Sequence, residues 1–127
     1  MILVVDAHDD AREALCAMLR AEGYLVSMAA SGAKALGLLG LFDSLGLILI
    51  DLSLPDMSGA EFLAELRGRP LVSLIPVVAM TTDHRVQPAG VQGWLRKPYS
   101  PEQVMEFVLR YCGTPNGWDG ATGGAMA

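Results

Sequence analysis

The chain has 127 residues, of which 52% are hydrophobic and 18% charged, and its formal net charge is −5. This length fits one domain with a substantial core, and the composition excludes an intrinsically disordered chain. The acidic balance disfavours non-specific attraction to nucleic-acid phosphates or anionic lipid. We therefore expect a single globular domain that binds neither nucleic acid nor a membrane directly.

No targeting or membrane segment is predicted. The apolar run from Met1 to Val5 is too short for a signal peptide and lacks a basic region before it. The most hydrophobic window, Leu36 to Leu54, is interrupted by aspartates and glycines, so a buried strand after a helix explains it better than a membrane span. Cys16 and Cys112 show no metal-ligand spacing and are predicted to be reduced thiols. We expect a cytoplasmic protein.

Strands and helices alternate from the beginning of the chain. Ile2 to Val5 is a continuous apolar run that stops at Asp6, which predicts a buried parallel strand. Apolar residues then recur at helical spacing until Gly23. Asp10 and Glu13 are predicted to form a capping pair where this helix begins.

The same unit recurs twice. A weaker strand is predicted over Leu25 to Ala29, and Ser31 is placed to cap a helix that Gly40 ends. Leu47 to Ile50 is the strongest strand and again stops at an aspartate. The capping box Ser58-Gly59-Ala60-Glu61 then begins a third helix.

The last part of the chain follows a modified plan. Val77 to Met80 is predicted as a fourth strand and Trp94 to Arg96 as a fifth. The segment 83–93 between them is poor in apolar residues and contains Pro88, so any helix there is short or irregular. Ser100-Pro101-Glu102-Gln103 supplies the capping residues of a C-terminal helix.

Five alternations of strand and helix predict an α/β fold. We expect a five-stranded parallel sheet that is doubly wound, with helices on both faces and right-handed crossovers. The domain is predicted to span residues 1–112. Residues 113–127 are predicted to be a flexible, glycine-rich tail or linker stub.

Four polar residues fall at or just past the ends of different strands: Asp6, Asp51, Thr81 and Lys97. A single aspartate there is most often a turn or capping residue, but carboxyl ends of parallel strands meet at one edge, which brings the four together. A carboxylate can attack phosphorus to give an acyl phosphate. The transferred phosphoryl group then needs a hard cation such as Mg²⁺, a cationic side chain and a hydrogen-bond donor.

These residues carry a family resemblance. The chain resembles the receiver domains of two-component response regulators, which have a flavodoxin-like fold. The resemblance implies that Asp51 is the phosphoacceptor, that Asp6, Asp51 and the Ser53 carbonyl hold Mg²⁺, and that Thr81 and Lys97 bind the phosphoryl group. The motifs are Val4-Val5-Asp6, the block from Ile50 to Gly59, Met80-Thr81 and Leu95-Arg96-Lys97-Pro98-Tyr99.

The resemblance also implies partners and a switch. The phosphoryl group comes from a histidine kinase or phosphotransfer protein, and a downstream protein target reads the result. On phosphorylation Thr81 is drawn toward the phosphate and Trp94 turns inward, although Trp94 is also open to a plain packing role. The resemblance allows a homodimer. It implies no enzyme beyond self-phosphorylation and self-dephosphorylation at Asp51.

One position departs from the family pattern. Ala7 stands where receivers usually carry a second acidic residue, so weaker Mg²⁺ binding is expected from fewer charged ligands. His8 or Asp9 could substitute, but Asp9 is more typical of a helix start and His8 of a solvated loop. Ala7 keeps open a second class of function, a phosphorylation-independent pseudo-receiver that acts as a protein-interaction module.

Two other classes fit poorly. A flavin or nucleotide site would want a glycine- or hydroxyl-rich loop after the first strand, where this chain has Asp6-Ala7-His8-Asp9-Asp10. An aspartate-based phosphatase would show a second acid two residues after its nucleophile, where this chain has Ser53. Neither the partner kinase nor the output target follows from the sequence.

Overall fold

The computed structural model describes residues 1–42, 44–83 and 89–115. Strands and helices alternate through the first half of the chain, and a short 3₁₀ turn follows the second helix. The elements in chain order are β1 (Ile2–Val5), α1 (Asp9–Ala21), β2 (Val26–Ala29), α2 (Gly32–Leu38), the 3₁₀ turn (Leu39–Leu41), β3 (Leu47–Asp51), α3 (Gly59–Arg67), β4 (Val77–Thr81), β5 (Gly93–Arg96) and α4 (Pro101–Cys112).

The strands form one parallel sheet in the order β2-β1-β3-β4-β5. The central strand β1 pairs with β2 on one side and with β3 on the other, so Val5 lies opposite both Ala29 and Ile50. The strand order reverses at β1, and in such sheets the crevice at the carboxyl ends of the strands beside the reversal is the usual binding site. The predicted five-stranded, doubly wound α/β fold is confirmed.

The sheet separates two hydrophobic cores. Because successive side chains of a strand point to opposite faces, each central strand contributes to both cores and is buried along its whole length. One core lies under α1 and α4, and the other lies under α2 and α3. The first includes Ile2, Val4, Leu15, Leu19, Leu47, Leu49, Val104 and Val108, and the second includes Leu3, Val5, Leu36, Ile48, Ile50, Phe62 and Leu66.

Three of the helix starts follow the predicted capping chemistry. Ser31 caps α2, and complete capping boxes begin α3 at Ser58 and α4 at Ser100. The capping pair predicted for the first helix, Asp10 with Glu13, is wrong. The N-cap of α1 is His8, two residues before Asp10, and it makes no side-chain capping bond.

The connection from β4 to β5 contains no helix among its described residues, 82–83 and 89–92. The middle of the segment in which a short fourth helix was predicted, residues 84–88 including Pro88, lies outside the described residues. The end of this connection is tied to α3, because the Arg67 guanidinium donates to the Gly90 carbonyl at 2.9 Å and to the Ser73 and Ile75 carbonyls at 2.8 Å. Because no helix is described between β4 and β5, the C-terminal helix is the fourth of the described α-helices, α4.

The residue after α4, Gly113, is bonded to the connection between α1 and β2. The Tyr24 hydroxyl donates to the Gly113 carbonyl at 2.7 Å, whereas the rest of the predicted tail, residues 116–127, lies outside the described residues. Cys16 is buried, Cys112 is half-buried, and both are free thiols. None of the helices in the described part of the chain has the length and apolar character that a membrane crossing requires.

Candidate functional site

Adjacent central strands bring two aspartates together. Asp51 is the last residue of β3, and Asp6 directly follows β1, its neighbour in the sheet. Both carboxylates are buried, with Asp6 fully covered and Asp51 2% exposed. Buried carboxylates require partners that compensate for lost hydration, so their surroundings define the site.

Lys97 is the cationic partner of both carboxylates. Its ammonium contacts Asp51 Oδ2 directly and lies 3.2 Å from Asp6 Oδ2. The residue directly follows β5, and its backbone N–H donates to the Thr81 carbonyl at 2.8 Å, which extends the β4–β5 pairing to the edge of the site. The second oxygen of Asp51 accepts from the Ser53 backbone N–H at 2.7 Å.

Asp51 and Asp6 stabilise the positive charge on Lys97. Burial of the ammonium lowers its pKa, but the hydrogen bond and charge of Asp51, followed by the charge of Asp6, outweigh that effect and leave the pKa raised. Lys97 is therefore a cation throughout the neutral range. One positive charge stands between two buried carboxylates.

The two predicted switch residues lie on β4 and β5. The buried Thr81 ends β4, and its hydroxyl donates to the Asp83 carbonyl and accepts from the Asp83 N–H, both at 3.0 Å. The Thr81 hydroxyl thus hydrogen-bonds to the backbone of the loop after β4 rather than to Asp51. Trp94 is half-buried in β5, opposite Ala79.

His8, which the sequence offered as a substitute ligand but favoured as a solvated loop residue, belongs to this site. Its side chain is 64% exposed, as expected of a loop residue, yet Nδ1 lies 3.0 Å from Asp6 Oδ1 and 3.8 Å from Asp51 Oδ2. The turn after β1 folds back because Asp6 Oδ1 also accepts the His8 backbone N–H at 2.8 Å. Asp9, the other suggested substitute, instead pairs with Arg12 at 2.7 Å.

The donor set fits a divalent cation. One ligand atom each from Asp6, His8 and Asp51 lies within 4.8 Å of the others. The two carboxylates offer the oxygen ligands that Mg²⁺ prefers, and a bound cation would supply positive charge to a transferring phosphoryl group. Ala7 contributes no ligand, so the site has one carboxylate fewer than the family pattern.

A third aspartate, Asp56, fixes the loop that follows Asp51. The Asp56 carboxylate accepts the N–H groups of Ala33 at 2.8 Å and Gly32 at 3.0 Å, in the first turn of α2. These hydrogen bonds, the Ala33 bond first, lower the pKa of Asp56. The loop carrying Ser53 is therefore fastened at its far end to α2.

We expect Asp56→Ala to lower the thermal unfolding midpoint at neutral pH. A lowered pKa in the folded state means that the stabilisation is full above the ordinary value of 3.8 and disappears as the pH falls through the lower folded-state value. Melting curves of the variant and the parent should therefore converge in acid. Asp56→Asn, which keeps one acceptor oxygen, should lose less; equal losses at every pH would contradict this role.

Comparison with known proteins agrees with the fold. The sequence pattern of the response regulator receiver domain matches residues 2–109. The two-component response regulator ORR5 of Oryza sativa is 30% identical over 115 residues, which cover 86% of each chain. An uncharacterised 14.6 kDa protein of Leptolyngbya boryana is 32% identical, over 87% of this chain and 88% of its own.

Solved structures give the same result. The chemotaxis protein CheY4 of Vibrio cholerae superposes with a TM-score of 0.78 at 29% identity, over 87% of this chain and 96% of its own. The receiver domain of the sensor histidine kinase PA1611 of Pseudomonas aeruginosa has a magnesium ion coordinated in its active-site cleft. It superposes with a TM-score of 0.79 at 27% identity, over 89% of this chain and 97% of its own. A doubly wound sheet with an acidic pocket at its carboxyl edge defines the class, and this chain belongs to the response regulator receiver domain family.

Proposed function

We propose that Asp51 accepts a phosphoryl group from the phosphohistidine of a histidine kinase or phosphotransfer protein. The observation that carries this proposal is the buried Asp51 carboxylate at the end of β3, contacted by the Lys97 ammonium and held by the Ser53 N–H. A positioned carboxylate next to a fixed cation has the nucleophile and the charge that phosphoryl transfer requires.

The transfer balances with groups that the site contains. An Asp51 oxygen attacks phosphorus, a P–O bond forms, and the P–N bond to the donor histidine breaks as its imidazole leaves and takes up a proton. Lys97 neutralises charge on the phosphoryl oxygens. A divalent cation, when bound by Asp6 and Asp51, adds to that neutralisation.

A switch follows from the contacts of Thr81. Its hydroxyl must exchange its bonds to Asp83 for one to the phosphoryl group, which moves the loop after β4. Trp94, half-buried on the adjacent strand, then turns toward the space that Thr81 vacates. A phosphoryl group adds about −1.5 to −2 charge and three acceptor oxygens, enough to bias such a two-state loop.

The partners are proteins. An open cleft of about 410 Å³ adjoins the site and is lined by Ala11, Thr82, Lys97, Pro98 and Tyr99, which gives a donor histidine a largely apolar approach. The phosphorylated domain signals by binding a downstream protein target, and in some regulators by forming a homodimer. The reaction is stoichiometric self-modification in the cytoplasm rather than turnover of a released substrate. Self-dephosphorylation is hydrolysis, in which water attacks phosphorus, inorganic phosphate leaves and the Asp51 carboxylate is restored.

Ala7 favours a second candidate, a pseudo-receiver. The missing carboxylate weakens the support for Mg²⁺, and a protein-interaction module with this fold would need no phosphoryl transfer. The two functions differ in whether Asp51 is modified, so a chemical test separates them.

The test is intact mass after incubation with phosphoramidate or acetyl phosphate, with Mg²⁺ and with EDTA. We expect a Mg²⁺-dependent gain of one phosphoryl group that is absent in Asp51→Asn. Asp56→Asn is the matched control, because it removes a nearby exposed carboxylate and should still gain the group. No gain by the parent chain, from these donors or from a histidine phosphotransfer protein, would favour the pseudo-receiver.

A further inference from the structure

We infer that His8 is a metal ligand and that it gives this site a preference for a borderline transition cation, such as Co²⁺, Ni²⁺ or Zn²⁺, over Mg²⁺. This inference deepens the proposed function and shares its residues Asp6 and Asp51. It rests on the position of one imidazole beside two buried carboxylates.

The distances suit coordination. Ligand atoms bound at about 2.0–2.2 Å to one ion lie about 3 Å apart when they are neighbours in its shell. His8 Nδ1 is 3.0 Å from Asp6 Oδ1 and 3.8 Å from Asp51 Oδ2. An ion among these three atoms therefore requires only small side-chain movements.

The surroundings provide both order and access. Asp6 is fully buried and Asp51 nearly so, which fixes the two carboxylates, whereas the His8 side chain is 64% exposed and opens the site to solvent. The Asp6 Oδ1 atom that faces His8 is not the atom nearest Lys97, which lies 3.2 Å from Asp6 Oδ2. Lys97 and an ion thus share the carboxylate of Asp6 without using the same oxygen, whereas at Asp51 both face Oδ2, which the ion would share with the ammonium.

The ligand types decide the preference. Imidazole nitrogen suits Co²⁺, Ni²⁺ and Zn²⁺, whereas Mg²⁺ favours oxygen ligands only and keeps several waters. With Ala7 beside Asp6, the chain lacks a third carboxylate at the turn and has the His8 imidazole one residue later. The expected loss of Mg²⁺ affinity therefore comes with a gain for cations that bind nitrogen.

The experiment is calorimetric titration of the whole chain with Co²⁺ and with Mg²⁺, together with the visible absorption spectrum of the bound Co²⁺. We expect Co²⁺ to bind at least about tenfold more tightly than Mg²⁺. His8→Asn should weaken Co²⁺ by about tenfold or more, shift its spectrum, and leave Mg²⁺ nearly unchanged. Asparagine is a good N-cap residue, so α1 retains its start.

His84→Gln is the matched control, since it removes the only other histidine of the chain and should bind Co²⁺ as the parent does. Equal Co²⁺ affinity and spectrum in His8→Asn and the parent would overturn the inference. Phosphorylation is read separately by mass in saturating Mg²⁺. Co²⁺ binding through His8 without phosphorylation would contradict only the proposed function, and phosphorylation with a histidine-independent Co²⁺ site would contradict only this inference.

Discussion

Replacing Lys97 with methionine is expected to lower the free energy of unfolding by about 3 kcal/mol at neutral pH in EDTA. The substitution removes the ammonium that contacts Asp51 and Asp6 while keeping a side chain of similar length. Both carboxylates are almost completely buried, so each loses its charged partner without gaining full hydration. Urea denaturation followed by circular dichroism measures the difference.

A divalent cation should restore part of this loss, because it supplies positive charge to the same two carboxylates. The control is Lys34→Met, which removes the only other lysine, an exposed residue of α2, and should change stability little. A loss in Lys97→Met no larger than in Lys34→Met would show that the pair of buried carboxylates does not depend on Lys97.

The second large effect is expected from Ala7→Asp, which should raise Mg²⁺ affinity by about tenfold or more. The added carboxylate follows Asp6 directly and increases the negative charge available to the ion. Without metal the same charge crowds two buried carboxylates, so the variant should be less stable than the parent in EDTA and regain stability with Mg²⁺. Calorimetric titration and denaturation with and without Mg²⁺ measure the two effects.

Ala14→Asp controls for added charge in general, because Ala14 is exposed on α1 and outside the cluster of Asp6, His8 and Asp51. It should leave Mg²⁺ binding unchanged. An unaltered Mg²⁺ affinity in Ala7→Asp would mean that this turn does not present residue 7 to the ion, and that the family pattern does not transfer to this position.

Most of the fold could be predicted because its signals are local. The apolar runs Ile2–Val5 and Leu47–Asp51 indicate buried strands directly. Ser58 and Ser100 indicate helix starts, because each serine hydroxyl accepts a hydrogen bond from the backbone N–H three residues later. The start of α1 was predicted wrongly because Asp10 and Glu13 resemble a capping pair. The Asp6 carboxylate instead binds the N–H of His8 and places the N-cap there.

The site was predictable only in part. Asp6, Asp51 and Lys97 converge as strand order requires, since adjacent parallel strands end at one edge. The approach of His8 depends on how one turn folds back, and the Asp56 clamp joins groups more than twenty residues apart. Neither contact has a periodic or spacing signal, so the sequence could name His8 as a candidate substitute without placing it, and it did not indicate the Asp56 contact at all.

The most direct test of phosphoryl acceptance is to locate the modified residue. After incubation with phosphoramidate and Mg²⁺, borohydride reduction converts an aspartyl phosphate to homoserine, and peptide mass mapping identifies its position. The account predicts homoserine at position 51 in the parent chain and none in Asp51→Asn. An unmodified Asp51, or modification only at another residue, would contradict the assignment of this carboxylate as the phosphoacceptor.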